Sequence, residues 1–196
     1  MRRTALILIA MAALWIGYAI SPYVGLYRFV RAVEARDAEA VIARVDFEEL
    51  RRSLMEQLVR TYLRLTGGDK LPQLAQNVLA AAGASIADPI VAKFVTPEAL
   101  SEFLRDGWPR MVLVDQPPSG FTGVNTSNLG TVWQLFVNSE IGIGRFRVSV
   151  PAEVPRANQF GLRLHLSNWT WKLWGIELPE LIQMKLAEEI IKRRPR

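Results

Sequence analysis

The chain has 196 residues, half of them hydrophobic, which suits one packed core and excludes a disordered chain. Its net charge of +5 and pI of 9.9 invite a nucleic-acid partner until the charges are placed. Six of the 24 basic residues lie at the two ends (Arg2, Arg3, Lys192, Arg193, Arg194 and Arg196); the other 18 against 19 acidic ones leave the body at −1, so no nucleic-acid partner is expected.

In chain order, the first feature is Arg2-Arg3 followed by sixteen uncharged residues from Ala5 to Ile20. Two positive charges ahead of an apolar run mark an export signal or a signal anchor. Bulky Trp15, Ile16 and Tyr18 crowd the region where a peptidase would cut, and Trp15 and Tyr18 suit contact with a membrane interface. Residues 1–20 are therefore read as a retained single-pass anchor. Cleavage near Ala19, at Gly17-Tyr18-Ala19, is the alternative, releasing the product into the periplasm. Arg2 and Arg3 favour the N-terminus inside, which in a bacterium puts an anchored domain of residues 21–196 in the periplasm. The absence of cysteine removes a lipid-anchored lipoprotein and is compatible with an oxidising compartment.

Ser21-Pro22 reads as a cap and a first-turn proline, so a new helix is expected there. Asp37 marks a turn into a short helix from Ala38 to Val45. Asp46 with Glu49 three residues later forms a capping box. Behind it Phe47, Leu50, Leu54, Leu58, Tyr62 and Leu65 make one apolar stripe that ends at Gly67-Gly68. The stretch from Leu71 to Ala92 carries one charge, Asp88, and is read as buried small-residue helices of a soluble core rather than a second span. Thr96-Pro97 caps another helix, closed by Arg105-Asp106-Gly107.

Residues 108–130 are rich in Gly, Pro and Asn and read as a long connection with one short strand from Met111 to Val114. Strands are then expected at Val132 to Val137, at Ile141 to Val150 with a bulge near Gly144, and at Phe160 to Leu166. A turn at Ser167-Asn168 would set Leu166 opposite Trp169 and continue a core face through Trp169, Trp171 and Leu173. A last amphipathic helix runs from Pro179 to about Arg193. The expected class is α+β: helices first, then a curved antiparallel sheet of nuclear-transport-factor-2-like or cystatin-like form, then the C-terminal helix.

Several blocks resemble one bacterial family. They are Ser21-Pro22-Tyr23, Leu26-Tyr27, Ala32, Arg36-Asp37-Ala38, Val45-Asp46-Phe47 and Leu50-Arg51, then Thr96-Pro97-Glu98-Ala99-Leu100, and finally Trp171-Lys172-Leu173 with Ile176-Glu177-Leu178-Pro179. Together they look like the domain of unknown function 2939. The resemblance implies a short proteobacterial protein with one N-terminal apolar segment, and it carries no catalytic residue.

Chemistry is sparse. His165 is the only histidine, which excludes a histidine-rich metal site; no metal and no cofactor are expected. Gly142-Ile143-Gly144 lacks the third glycine and the strand-to-helix setting of a dinucleotide loop. Asp46 and Asp88 are read as helix caps first. The favoured function is non-enzymatic: a membrane-tethered extracytoplasmic domain that binds a partner protein or an apolar ligand in the hollow of its sheet. Trp174, and less so His165, are its contact candidates. The alternative is a small pocket enzyme, a hydrolase or isomerase using Asp88 or His165, which would need the two within hydrogen-bond reach inside a cavity. Lys192, Arg193 and Arg194 end the last helix and are candidates for contact with anionic headgroups.

Overall fold

The computed structural model describes residues 2–110, 113, 122–129 and 132–192. Arg193 and Arg194, and the strand expected from Met111 to Val114 apart from Leu113, lie outside them. Five helices come first: α1 (Arg2–Glu34), α2 (Ala38–Arg44), α3 (Phe47–Leu65), α4 (Gln73–Phe94) and α5 (Pro97–Asp106). A short α6 (Val132–Val137) precedes strands β1 (Ser139–Gly142), β2 (Arg145–Val150), β3 (Phe160–Ser167) and β4 (Thr170–Glu177), and α7 (Glu180–Lys192) follows. The strands form an open antiparallel sheet in sequence order.

Helix α1 does not restart at Ser21-Pro22 as the sequence suggested; Pro22 lies inside one helix of 33 residues. Proline lacks the N–H that would bond the carbonyl of Tyr18, and a helix normally kinks or breaks there. Here the Ser21 hydroxyl donates to that carbonyl at 2.8 Å and takes the place of the missing donor. The first half of α1 is exposed, whereas Leu26, Phe29, Val30 and Val33 are buried in the core. The long apolar helix is compatible with a membrane anchor or a signal sequence.

The local caps form where the side chains dictate. Asp37 accepts from the N–H of Ala40, Asp46 from Glu49 and Thr96 from Ala99. Each meets one of the donors a helix start leaves unpaired. Gly67 and Gly107 end α3 and α5 in left-handed conformations. The α3 stripe is buried from Leu50 to Tyr62, but Leu65 is exposed, because the turn at Gly67 carries the chain away before that residue is covered.

Helix α4 is one helix, not several, and it is less buried than its composition suggested. Ala87, Ile90, Val91 and Phe94 are buried, while Leu74 and Val78 are open. Like α1, it is long and apolar enough to cross a membrane. It packs along α3, however, and Asp88 on α4 pairs with Arg51 on α3 at 2.6 Å. Inserting α4 would draw α3's charges toward hydrocarbon, which opposes a second span. Asp88 therefore sits within the helix rather than at its cap.

Two other expectations fail at short apolar runs. Residues 132–137 form helix α6, not a strand, for a six-residue apolar run fits either period and among the described residues no strand lies beyond β1 to pair with it. The parity change near Gly144 is a hairpin, not a bulge: Gly142 pairs with Arg145 across a two-residue turn in which Gly144 has φ +65°. The second hairpin turns at Asn168-Trp169, one residue later than expected, with φ +48° and +60°. Ser167 then faces Thr170 and Leu166 faces Trp171. Trp169 stands at the tip, fully out of the core, while Trp171 and Leu173 are buried.

The buried face of the sheet (Phe146, Val148, Leu162, Leu164, Leu173 and Ile176) meets α1 and α5. Tyr23 lies edge-on to Phe146 at 5.1 Å, and Phe103 edge-on to Phe160 at 5.2 Å. The free edge of β4 is covered. Val45 bridges it in parallel, and the N–H of Asp46 donates to the Leu173 carbonyl at 2.8 Å. Farther along, the Gln57 side chain donates to the Ile176 carbonyl (2.7 Å) and accepts from the Leu178 N–H (3.1 Å), pairing the backbone as a neighbouring strand would.

Candidate functional site

The opposite face of the sheet is polar. Arg147, Arg163 and Gly175 lie in one cross-strand row, and Arg145, His165 and Lys172 in the next. In β4 the pairing slips between Arg163 and Leu164, so Leu164 faces Leu173 while Arg163 faces Gly175. Trp174 is the extra residue. The bulge moves the alternation of β4 by one, which buries Ile176 and turns Glu177 to the polar face.

Glu177 gathers this face. Its cross-strand neighbour is Gly161, where a Cβ would stand 2.6 Å from Glu177 Oε2. With no side chain there, the carboxylate accepts from Arg147 Nη2 at 2.6 Å and from Arg163 Nε at 2.7 Å, with a further close contact to Arg163 Nη2. Arg147 also reaches Glu140 at 3.2 Å. Burial alone would push the Glu177 carboxyl up, but the bonds from Arg147 and Arg163 outweigh it and hold the group below the usual carboxylate range. The bonds with Glu177 in turn raise Arg147 above its ordinary value.

Trp174 is half-buried, with the Arg163 guanidinium 5.5 Å from its ring centre, within cation–π range. These residues line a cleft of about 690 Å³ between the sheet and α3, where Arg52, Glu56, Gln57 and Arg60 form the facing wall. The close approach of α3 depends on Gly175, where a Cβ would meet Ser53 Oγ at 3.1 Å. A second polar cleft, of about 520 Å³, lies on the other side of Glu177 and is lined by Glu140, Arg147, Arg156 and Glu180.

The residues singled out from sequence are thus dispersed. Trp174 is in the first cleft. Asp88 is exposed and bound to Arg51. His165 has a buried Nε2 without a hydrogen-bond partner, 3.8 Å from Asp46 Oδ2, whose other oxygen caps α3. Asp88 and His165 line neither cleft. Trp15 and Tyr18 lie on the exposed part of α1, with the Tyr18 hydroxyl bonded to the backbone of Gly142 and Gly144, and Lys192 ends α7 beside Glu189. Among the described residues no cluster of three or more His, Asp or Glu is placed to hold a metal ion. Sequence reasoning missed Arg147 and Glu177, because the bulge hides the strand parity that would have put them on one face.

Over residues 11–103, from within the apolar run to the middle of α5, the chain matches the model of a family described as Protein of unknown function (DUF2939). Over this segment, just under half of the chain, the protein is similar to the DUF2939 family. The matched region contains the Asp37, Asp46 and Thr96 caps, most of the helical half and the α3 wall of the first cleft, while the sheet and the second cleft lie outside it. No curated protein and no solved structure matches the chain.

Proposed function

We propose that this chain is a single-pass inner-membrane protein whose domain faces the periplasm and binds a partner protein through the polar clefts that meet at Glu177. The tether is supported by α1: its apolar part is exposed, and the same helix continues into the core at Leu26, Phe29, Val30 and Val33. Cleavage near Ala19 would cut that helix just before Ser21, which bonds both Tyr18 and Trp171. This supports retention.

The observation that carries the binding reading is the lining of the two clefts. One half-buried tryptophan sits among guanidinium and carboxylate groups of both signs. Such a surface fits a protein segment with charges of its own better than an apolar ligand. The enzyme alternative has less support, because Asp88 is bound to Arg51 and His165 lies instead beside Asp46, neither lining a cleft.

Two measurements test the proposal. A C-terminal alkaline-phosphatase fusion is expected to be active and a fluorescent-protein fusion dark; the reverse would overturn the topology. Site-specific cross-linking from the cleft wall in native membranes is expected to trap a protein that Trp174→Ala loses while the fold stays intact. An unchanged pattern in Trp174→Ala would exclude the cleft as the binding surface.

A further inference from the structure

We propose that the tips of both β-hairpins, Ile143 and Trp169, seat in the interfacial layer of the bilayer beside α1. This inference rests on the reading of α1 as a membrane anchor.

The two tips lie at the same end of the sheet, because Arg145 pairs with His165 and Ser167 with Thr170. They carry the most exposed large apolar side chains of the described residues, Ile143 at 98% and Trp169 at 95%. Both tips meet α1 at one level. The Tyr18 hydroxyl accepts from the N–H of Gly144 at 2.6 Å and donates to the Gly142 carbonyl at 3.3 Å. A groove of about 710 Å³ between α1 and the other hairpin is lined by Leu14, Tyr18, Ile20, Leu166 and Trp169.

The length of α1 fixes where that level falls. A hydrocarbon core of about 30 Å needs about 20 helical residues at 1.5 Å each. Counted from Arg3, the far boundary lies beyond Tyr18, and any tilt moves it farther along the helix. Groups bonded to Tyr18 are then at the headgroup boundary or below it. Tyrosine and tryptophan favour that zone because each has an apolar body and a polar tip.

Trp169 adds an independent sign. Two-residue hairpin turns with positive φ at both positions normally use Asn and Gly, since a bulky side chain is strained there. Here the second position, at φ +60°, holds a tryptophan that touches little of its own fold. A strained, solvent-facing aromatic residue is explained by what it meets outside the chain, and the occupant consistent with its place beside α1 is lipid.

The chain lacks cysteine, so a single introduced thiol gives a unique label. The test uses the full-length protein reconstituted in phosphatidylcholine–phosphatidylglycerol vesicles, with spin labels at Ile143→Cys, Trp169→Cys, Leu8→Cys and Arg156→Cys. Arg156 lies in the connection at the opposite end of the sheet and reports water; Leu8 lies in the apolar part of α1 and reports the anchor. The ratio of collision with oxygen to collision with a water-soluble nickel chelate is expected to be several-fold higher at 143 and 169 than at 156. Ratios at 143 and 169 equal to that at 156, with position 8 in lipid, would overturn the seating and leave the anchor standing. Position 8 in water would overturn both.

Discussion

Gly25 of α1 lies directly against Trp171 of β4: a Cβ at Gly25 would stand 2.6 Å from that of the tryptophan. The same indole donates to Ser21 Oγ at 3.0 Å, so one side chain of the sheet is held by α1 through both a steric fit and a hydrogen bond.

The contact makes Gly25→Ala informative. In a helix the change ordinarily stabilises by about 0.5–1 kcal/mol. Here overpacking against Trp171 is expected to reverse the sign and cost about 1–3 kcal/mol. Thermal unfolding of the full chain in detergent measures it, and a gain in stability would mean that α1 and β4 are not in contact.

The corrected hairpin register separates two neighbouring tryptophans. Trp171→Ala is expected to cost about 3–5 kcal/mol, the loss of a large buried aromatic residue. Trp169→Gly removes an exposed side chain from a left-handed position and is expected to be neutral or to stabilise by about 1 kcal/mol. Equal losses in chemical denaturation would restore the register in which both face the core.

Glu177 links the polar face to pH. Its folded pKa is lower than its unfolded one, so it adds stability above the ordinary carboxylate range of about 4–4.5, and that stability is lost as the pH falls through the lower folded value. Denaturation midpoints of the wild type are expected to drop across that acidic window. Glu177→Gln is expected to be less stable at pH 7 and to lose part of the acid dependence; parallel profiles for the two proteins would show that the carboxylate is not held by Arg147 and Arg163.

What the sequence disclosed was decided within a few residues. Asp37, Asp46 and Thr96 cap because a short acceptor faces unpaired N–H groups one turn away, and the glycines after α3 and α5 close helices for equally local reasons. The misread positions depend on partners distant in the chain or on exceptions to residue preference. Pro22 stays helical because Ser21 replaces one donor, and Trp169 occupies a position that statistics reserve for glycine. The slip at Trp174 is visible only once β3 lies beside β4, and it decides whether Glu177 faces the core or the clefts. So the helical half was largely readable, while the candidate site depends on one unpaired residue of a strand.

The uninterrupted helix α1 also sets how the domain can search. A flexible linker of twenty Gly/Ser residues would let a tethered domain roam about 25 Å from its anchor. In this chain the exposed apolar run passes into the buried residues Leu26 and Phe29 without a break. With α1 seated in a bilayer as proposed, this continuous helix would hold the two clefts at one height above the membrane, whereas a flexible linker would let that height vary.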